Sequence, residues 1–358
     1  MSSPYYSGQK GGAAAENLVL AKYLLRGMLE YSGGAMNYGW LVGIALLLVG
    51  PGFADSVEAA QSDFRLTLIG SGNPIPDADR FGPATLVEAG DQKLLFDAGR
   101  GATIRLWQLK ISFSKVSPLF LTHFHSDHTV GIPDLWLTGW LGGPFGRRAT
   151  PFHVVGPTGT KELMTNLERA YAADIRTRTA DEHYPPEGVK VIADEFPAEG
   201  VVYEKDGVRV TAFEVNHGDE IKPAYGYRVD YKGRSIVISG DTRLNENVIK
   251  YGTGADVLVH EVAAVHSELL KDQQVQRVMA HHTSPQEAGT VFTRAHPKLA
   301  VYTHFTLLAR PPVPAVTIAE VIAQTRETYS GLLEAGEDLM TVEITESGNP
   351  VVQRPSRK

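Results

Sequence analysis

The chain has 358 residues, 43% of them hydrophobic, enough for one large α/β domain with extra segments. Its 41 acidic and 34 basic residues give a formal net charge of −7, a balance that argues against a polyanionic partner. There is no cysteine, so disulfides and thiolate metal ligands are excluded.

Residues 1–60 read as an N-terminal extension. Glu16 to Tyr31 is patterned as an amphipathic helix carrying Lys22 and Arg26. Trp40 to Val49 is an apolar run of about ten residues, the size of a signal-peptide core and short for a membrane span. Pro51-Gly52 breaks it, and Val57-Glu58-Ala59 offers small residues for cleavage. The expectation is a secretory signal with transient membrane contact and export to the periplasm. The alternative is an uncleaved segment that anchors the protein to the membrane. The stretch upstream is either a long leader or lies before a true start at Met28 or Met36.

The main domain is placed at residues 61–346. Phe64 to Ile69 reads as a strand, followed by the turn Gly70-Ser71-Gly72-Asn73-Pro74. Ala84 to Glu88 and Lys93 to Phe96 form a hairpin through Gly90-Asp91. Asp97-Ala98-Gly99-Arg100-Gly101 leads into a helix over Ala102 to Leu109. It lacks the Gly-Lys-Ser/Thr ending of a phosphate loop.

The apolar run Pro118-Leu119-Phe120-Leu121 then delivers Thr122-His123-Phe124-His125-Ser126-Asp127-His128. Side chains two apart on an extended segment point the same way, so His123 and His125 can grip one ion together. The next turn can swing Asp127 and His128 toward a second. Neutral imidazole and carboxylate are ligands that zinc, manganese and iron accept.

Ile132 to Trp140 reads as a helix. Trp136 and Trp140 are assigned to core packing, with a substrate-facing wall as the alternative. Thr158 to Ala172 is a helix. Arg176 to Gly200, with Pro185, Pro186 and Pro197, is loop-rich and a candidate lid. Strands return at Val201 to Tyr203 and at Val208 to Val215, the latter leading to His217. Ser235 to Gly240 ends at Asp241, and Leu299 to Thr303 ends at His304. Four strands that each deliver a ligand at one rim build a single site. Ser284 to Ala295, with Pro285 in its first turn, and Thr317 to Leu333 read as helices. Residues 347–358 read as a frayed polar tail. His153, His183, His266 and His296 are assigned to structure or surface. Helices flanking two strand-rich halves point to an αββα sandwich.

His-x-His-x-Asp-His, a lone His217, Gly240-Asp241-Thr242 and the late His304 together resemble the metallo-β-lactamase superfamily. Within it the chain is most similar to the ribonuclease Z and arylsulfatase-like branch. The residues behind that choice are Ala224-Tyr225-Gly226-Tyr227-Arg228-Val229, Val257-Leu258-Val259-His260-Glu261, His281-His282-Thr283 and Thr303-His304-Phe305. The resemblance implies a four-layer αββα sandwich with two zinc ions per chain, manganese or iron being alternatives. His123, His125 and His217 would hold one ion. Asp127, His128 and His304 would hold the other, with Asp241 bridging. Asp97 would orient a ligand histidine. Asp127 would orient the nucleophile, and His281 would deliver a proton to the leaving group, with Glu261 and His260 around it.

The chain departs from the family pattern at three places. His-Glu-Ala-Thr of ribonuclease Z is His260-Glu261-Val262-Ala263 here. His-Ser-Thr is His281-His282-Thr283, and Phe305 to Arg310 replaces polar residues. Acidic residues also outnumber basic ones between Lys161 and Glu199, where a basic tRNA-binding arm would be expected. The expectation is therefore a dinuclear hydrolase of a small ester-like molecule (phosphate, sulfate, carboxyl ester or lactone) using a metal-bound hydroxide. A hydrolytic dehalogenase of an activated chlorinated aromatic is one alternative. A ribonuclease Z-like phosphodiesterase on tRNA precursors is the other. The expected partner is a small molecule rather than nucleic acid, and a homodimer is allowed.

Overall fold

The computed structural model describes residues 62–355. The export signal, the membrane-anchor alternative and the candidate starts lie outside the described residues. Among the described residues no helix is long and apolar enough to cross a membrane.

Six strands come first in the chain: β1 (Phe64–Gly70), β2 (Ala84–Ala89), β3 (Gln92–Phe96), β4 (Leu119–Phe120), β5 (Phe152–Pro157) and β6 (Val191–Phe196). Seven follow as a second group: β7 (Gly200–Lys205), β8 (Val208–Glu214), β9 (Tyr225–Tyr231), β10 (Arg234–Ile238), β11 (Val257–Ala264), β12 (Leu299–Leu307) and β13 (Leu333–Ala335). Then β14 (Thr341–Ile344) and β15 (Pro350–Gln353) return to the first group. One sheet runs β15-β14-β1-β2-β3-β4-β5-β6 and the other β13-β12-β11-β10-β9-β8-β7. The pairings from β3 to β6 are parallel, as are those from β10 to β13. The rest are antiparallel.

Side-chain alternation explains the layering. On β3, Leu94 and Phe96 face the other sheet, while Leu95 faces an outer layer of helices. On β11, Val257 and Val259 point inward and Leu258 outward. Strands covered on both faces are continuously apolar, as these are. The outer layer over the first sheet includes α1 (Ala102–Gln108), α3 (Ile132–Trp140), α4 (Thr160–Ala170) and α5 (Ala172–Asp181), with the short α2 (Ser126–Thr129) between β4 and α3. Over the second sheet lie α6 (Glu246–Gly252), α8 (Pro285–Ala295) and α9 (Ile318–Thr325), with α7 (Gln273–Met279) in the connection between β11 and α8. Ser284 caps α8 with a reciprocal Ser–Glu287 box behind Pro285, which fixes where that helix begins. This is the expected αββα sandwich.

Several local expectations change. The 176–200 segment is not an open lid, because α5 occupies its start and β6 its end. Helix α9 stops at Thr325 and the chain re-enters the second sheet as β13, so the predicted helix to Leu333 is too long. Within the tail, Pro350–Gln353 is not frayed polar chain. As β15 it pairs with β14, and Val352 packs against the core between the sheets. Trp136 and Trp140 are fully buried. Their indole N–H groups donate to the carbonyls of Val189 and Pro185, both at 2.8 Å, so neither forms a substrate wall. That removes the stacking surface behind the dehalogenase alternative.

Candidate metal centre

The site gathers where strands of both sheets end, the position expected of open α/β sheets. His123 and His125 follow β4, and Asp127 and His128 lie in α2. His217 follows β8 and Asp241 follows β10. His304 differs from expectation, because it lies within β12 rather than after it. The pairing shifts there, from Glu261 opposite Thr303 to Val262 opposite Phe305, and His304 takes φ 45°. This bulge turns the imidazole into the site, a common use of such irregularities. Phe305 then packs among Tyr302, Val316 and the outer helices.

Asp241 is the common point. Its Oδ2 lies 3.1 Å from His304 Nε2, 3.4 Å from His128 Nε2, 3.6 Å from His217 Nε2 and 4.0 Å from His123 Nε2. Asp127 Oδ2 lies 3.2 Å from His304 Nε2 and 3.5 Å from His128 Nε2. His125 Nδ1 is 3.2 Å from His217 Nε2. Potential ligand atoms of His123, His125, His217 and Asp241 fall within 4.8 Å of one another, as do those of Asp127, His128 and His304. All seven predicted ligands are thus brought together, and all but the half-buried His125 are buried.

The outer nitrogens are held by the protein. His128 Nδ1 donates to Asp97 Oδ2 at 2.7 Å. His123 Nδ1 donates to Thr122 Oγ1 at 2.9 Å, and the Thr122 hydroxyl donates to the same Asp97 oxygen at 2.8 Å. His217 Nδ1 donates to the His281 carbonyl at 2.9 Å. These bonds leave the Nε2 lone pairs facing the centre. Nε2 of His123 and of His128 are buried without any hydrogen-bond partner. Buried polar atoms are normally paired, and two orphaned imidazole nitrogens facing a carboxylate suit a divalent cation. The donor set of nitrogen and oxygen fits zinc, manganese or iron.

The charge states suit a metal at His123, His217, Asp241 and Asp127. Against burial, Asp241 and Asp97 hold His128 well above its usual range and Asp241 and Asp127 raise His304, so a metal there would displace a proton. Burial pushes His123 well below its usual range, and His128 adds to this. Burial lowers His217 to about 4. Burial works to raise Asp241, but His304 and His128 overcome it and hold the carboxyl well below its usual range. Asp127 is likewise lowered by His304 and His128 against burial. Neutral imidazoles and ionised carboxylates are the forms that bind metal.

The proton-transfer candidates are less uniform. His281 sits half-buried at the edge, its ring 5.5 Å from that of His217, and its Nδ1 has no partner. Glu261 is not at the rim. It is fully buried, and its Oε1 accepts from Thr242 N and Thr283 N at 3.1 Å each and from His282 Nδ1 at 3.2 Å. Burial and then the Asp241 charge push this carboxyl well above its usual range. Oε2, which has no partner, can carry the proton while Oε1 keeps its donors. Glu261 is thus a positioning residue rather than a group that meets substrate. His260 points the other way. Its ring packs edge-on to Phe292, its Nδ1 donates to the Glu261 carbonyl at 2.7 Å, and it supports no ligand. One neighbour was overlooked in the sequence. His282 is buried beside Asp241 and His304, although the sequence offers it only as the position after His281.

Such a fold with such a site defines a metal-dependent hydrolase. Residues 92–305 match the family model described as Beta-lactamase superfamily domain. A ribonuclease Z of Mycolicibacterium gilvum (strain PYR-GCK) is 34% identical over 282 residues, covering 78% of this chain and 96% of that relative. Among solved structures, the metallo-beta-lactamase fold protein YhfI from Bacillus subtilis superposes with TM-score 0.59 at 17% identity, over 78% of this chain and 98% of its own. Human tRNase Z, short form, gives 0.57 at 23%, over 77% and 98%. Those two share the fold. The chain belongs to the β-lactamase superfamily, and its curated relatives are named ribonuclease Z.

This corrects the expected partner. A small-molecule substrate with no nucleic acid was inferred from a net charge of −7 and a missing basic arm, and relatives named for RNA overturn it. Net charge sums over the whole chain, whereas a phosphodiester is met locally by whatever charge the centre holds.

Proposed function

We propose that the protein is a ribonuclease Z-like phosphodiesterase acting on tRNA precursors, with two zinc ions at the centre around Asp241. The observation that carries this is the 34% identity to a ribonuclease Z over 96% of that relative's length. His123, His125 and His217 would hold one ion, Asp127, His128 and His304 the other, and Asp241 both. Bound there, such ions supply Lewis acidity for phosphodiester hydrolysis.

The chain's own groups do the rest. Asp127, kept ionised, accepts a proton from the attacking water. His281, at the edge with an unpartnered Nδ1, passes a proton to the leaving oxygen. Burial and then His282 lower its imidazole, so it carries that proton when the negative charge of the phosphodiester is beside it. Its carbonyl also orients His217, so one residue couples proton delivery to ligand geometry. Arg243, half-exposed beside His281, adds positive charge where a phosphate would approach.

The test gives metal-loaded protein a tRNA precursor alongside chromogenic phosphate, sulfate, carboxyl-ester and lactone substrates at one salt concentration. Cleavage of the precursor near its 3′ end is expected. It should vanish on chelation and in His123→Ala, and fall by about 10²–10⁴ in Asp127→Asn. An intact precursor with turnover of one small substrate would overturn the reading.

A further inference from the structure

His282 stands where the ribonuclease Z pattern has serine, and none of the roles above uses it. We infer that His282 is an additional imidazole ligand of the centre around Asp241. This rests on the proposed dinuclear centre.

Its placement is the first argument. Potential ligand atoms of Asp241, His282 and His304 lie within 4.8 Å of one another, and all three residues are buried. The His282 ring is 5.7 Å from the His304 ring and only 28° from parallel to it. It is nearer to the His217 ring, at 5.0 Å, and its potential ligand atoms also lie within 4.8 Å of those of His217 and His281.

Its orientation is the second. His282 Nδ1 donates to Glu261 Oε1 at 3.2 Å, which leaves the Nε2 lone pair as the free end. His128 on Asp97 and His217 on the His281 carbonyl are arranged in the same way, each with its outer nitrogen fixed by an oxygen acceptor. Holding the outer nitrogen sets the tautomer and aim of a metal-binding imidazole.

The support is built for this task. Glu261 is fully buried, a costly position for a carboxyl, and Thr242 N and Thr283 N pin it. The Thr283 hydroxyl donates to the Thr242 carbonyl at 2.5 Å, tying the His282 segment to the loop that carries Asp241. His282 therefore cannot shift away without moving Asp241. The consequence is an asymmetric centre. The ion that His282 serves gains one more protein donor than the other, so it is held longer, and the open position for substrate falls at the other ion.

The test is metal binding, read without substrate. Apoprotein is titrated with Co²⁺ in competition with a chelator while the visible absorption is recorded. Wild-type protein, His282→Gln and Glu261→Gln are compared, with circular dichroism as the folding control. The wild type should take up two equivalents. His282→Gln should keep one at wild-type affinity, bind the other at least ~10-fold more weakly and show an altered absorption band. Glu261→Gln should weaken the same equivalent by about 10–100-fold. For wild-type protein labelled with ¹⁵N-histidine, adding zinc should move the His282 Nε2 signal into the metal-bound range. This measurement decides the matter if the variants do not fold. Two tight equivalents in the folded variants, or an unmoved His282 Nε2 in zinc-loaded wild type, overturns the inference alone. Failure of the wild type to bind a second ion overturns the dinuclear reading with it.

Discussion

Asp97 Oδ2 accepts a hydrogen bond from His128 Nδ1 at 2.7 Å, and the same oxygen accepts the Thr122 hydroxyl that holds His123. One buried carboxylate thus orients imidazoles assigned to both ions. Its backbone is in the left-handed region, φ 60°, which turns the side chain back under the His123 loop. Asp97→Ala should lower metal affinity by about 10–100-fold while leaving every ligand in place. Chelator competition reads this directly, and unchanged affinity would remove Asp97 from the centre.

Asp241 is the carboxylate that four imidazole nitrogens face. Asp241→Ala should therefore cost more metal than His123→Ala or His304→Ala, each of which touches one side. Elemental analysis of protein purified without chelator checks this. Full metal retention in Asp241→Ala would show that the two groups do not share it.

Glu88 lies between Arg65 and Lys93 on three adjacent strands, with Arg65 Nε 2.6 Å from Oε2 and Lys93 bonded to Oε1. Burial acts to raise its carboxyl, but the two hydrogen bonds outweigh burial and hold it below its usual range. A lowered folded-state value means stability that is present above about pH 4.3 and is lost as pH falls through the folded value. Metal-free Glu88→Gln should be less stable at pH 7 by on the order of 1–3 kcal/mol. Melts of both proteins at pH 7 and near pH 3 should show the gap closing in acid. A gap that persists would mean that packing, not charge, sets it.

A chain ending at Glu346 should lose stability, because β15 and the partly buried Val352 go with the tail and β14 becomes an open edge. Lys298 would also lose its bond to the Gly348 carbonyl, now 2.8 Å. A fall of several degrees in Tm is expected, at roughly 2–4 °C per kcal/mol. An unchanged Tm would restore the view of residues 347–358 as frayed tail.

Much of the centre was legible in one dimension. His123, His125, Asp127 and His128 sit within six residues, so their cooperation follows from local geometry. Runs such as Val257 to Val259 carry the mark of strands buried on both faces, and with flanking helices they define four layers. That these candidate ligands share one site, and that Asp241 lies among them, was inferable from the pattern of strands that each end in a ligand type.

Other features depended on which strand pairs with which. His304 reaches the site only because β12 bulges against β11, a property of two strands about forty residues apart in sequence. Neighbouring His260 and Glu261 look alike in the sequence, yet alternation along β11 sends one to Phe292 and the other beneath His282. Trp136 and Trp140 look equally suited to a pocket wall or a core until the 185–189 carbonyls arrive to accept their N–H groups. The polar composition after Ser347 conceals a strand because β14 supplies its pairing. The sequence by itself determined the local ligand chemistry, which needs only neighbouring residues, and the layer pattern, which needs only periodicity. Tertiary structure decided which carboxyl supports which imidazole. A hydrogen bond joins groups that the chain places side by side only after both sheets have formed.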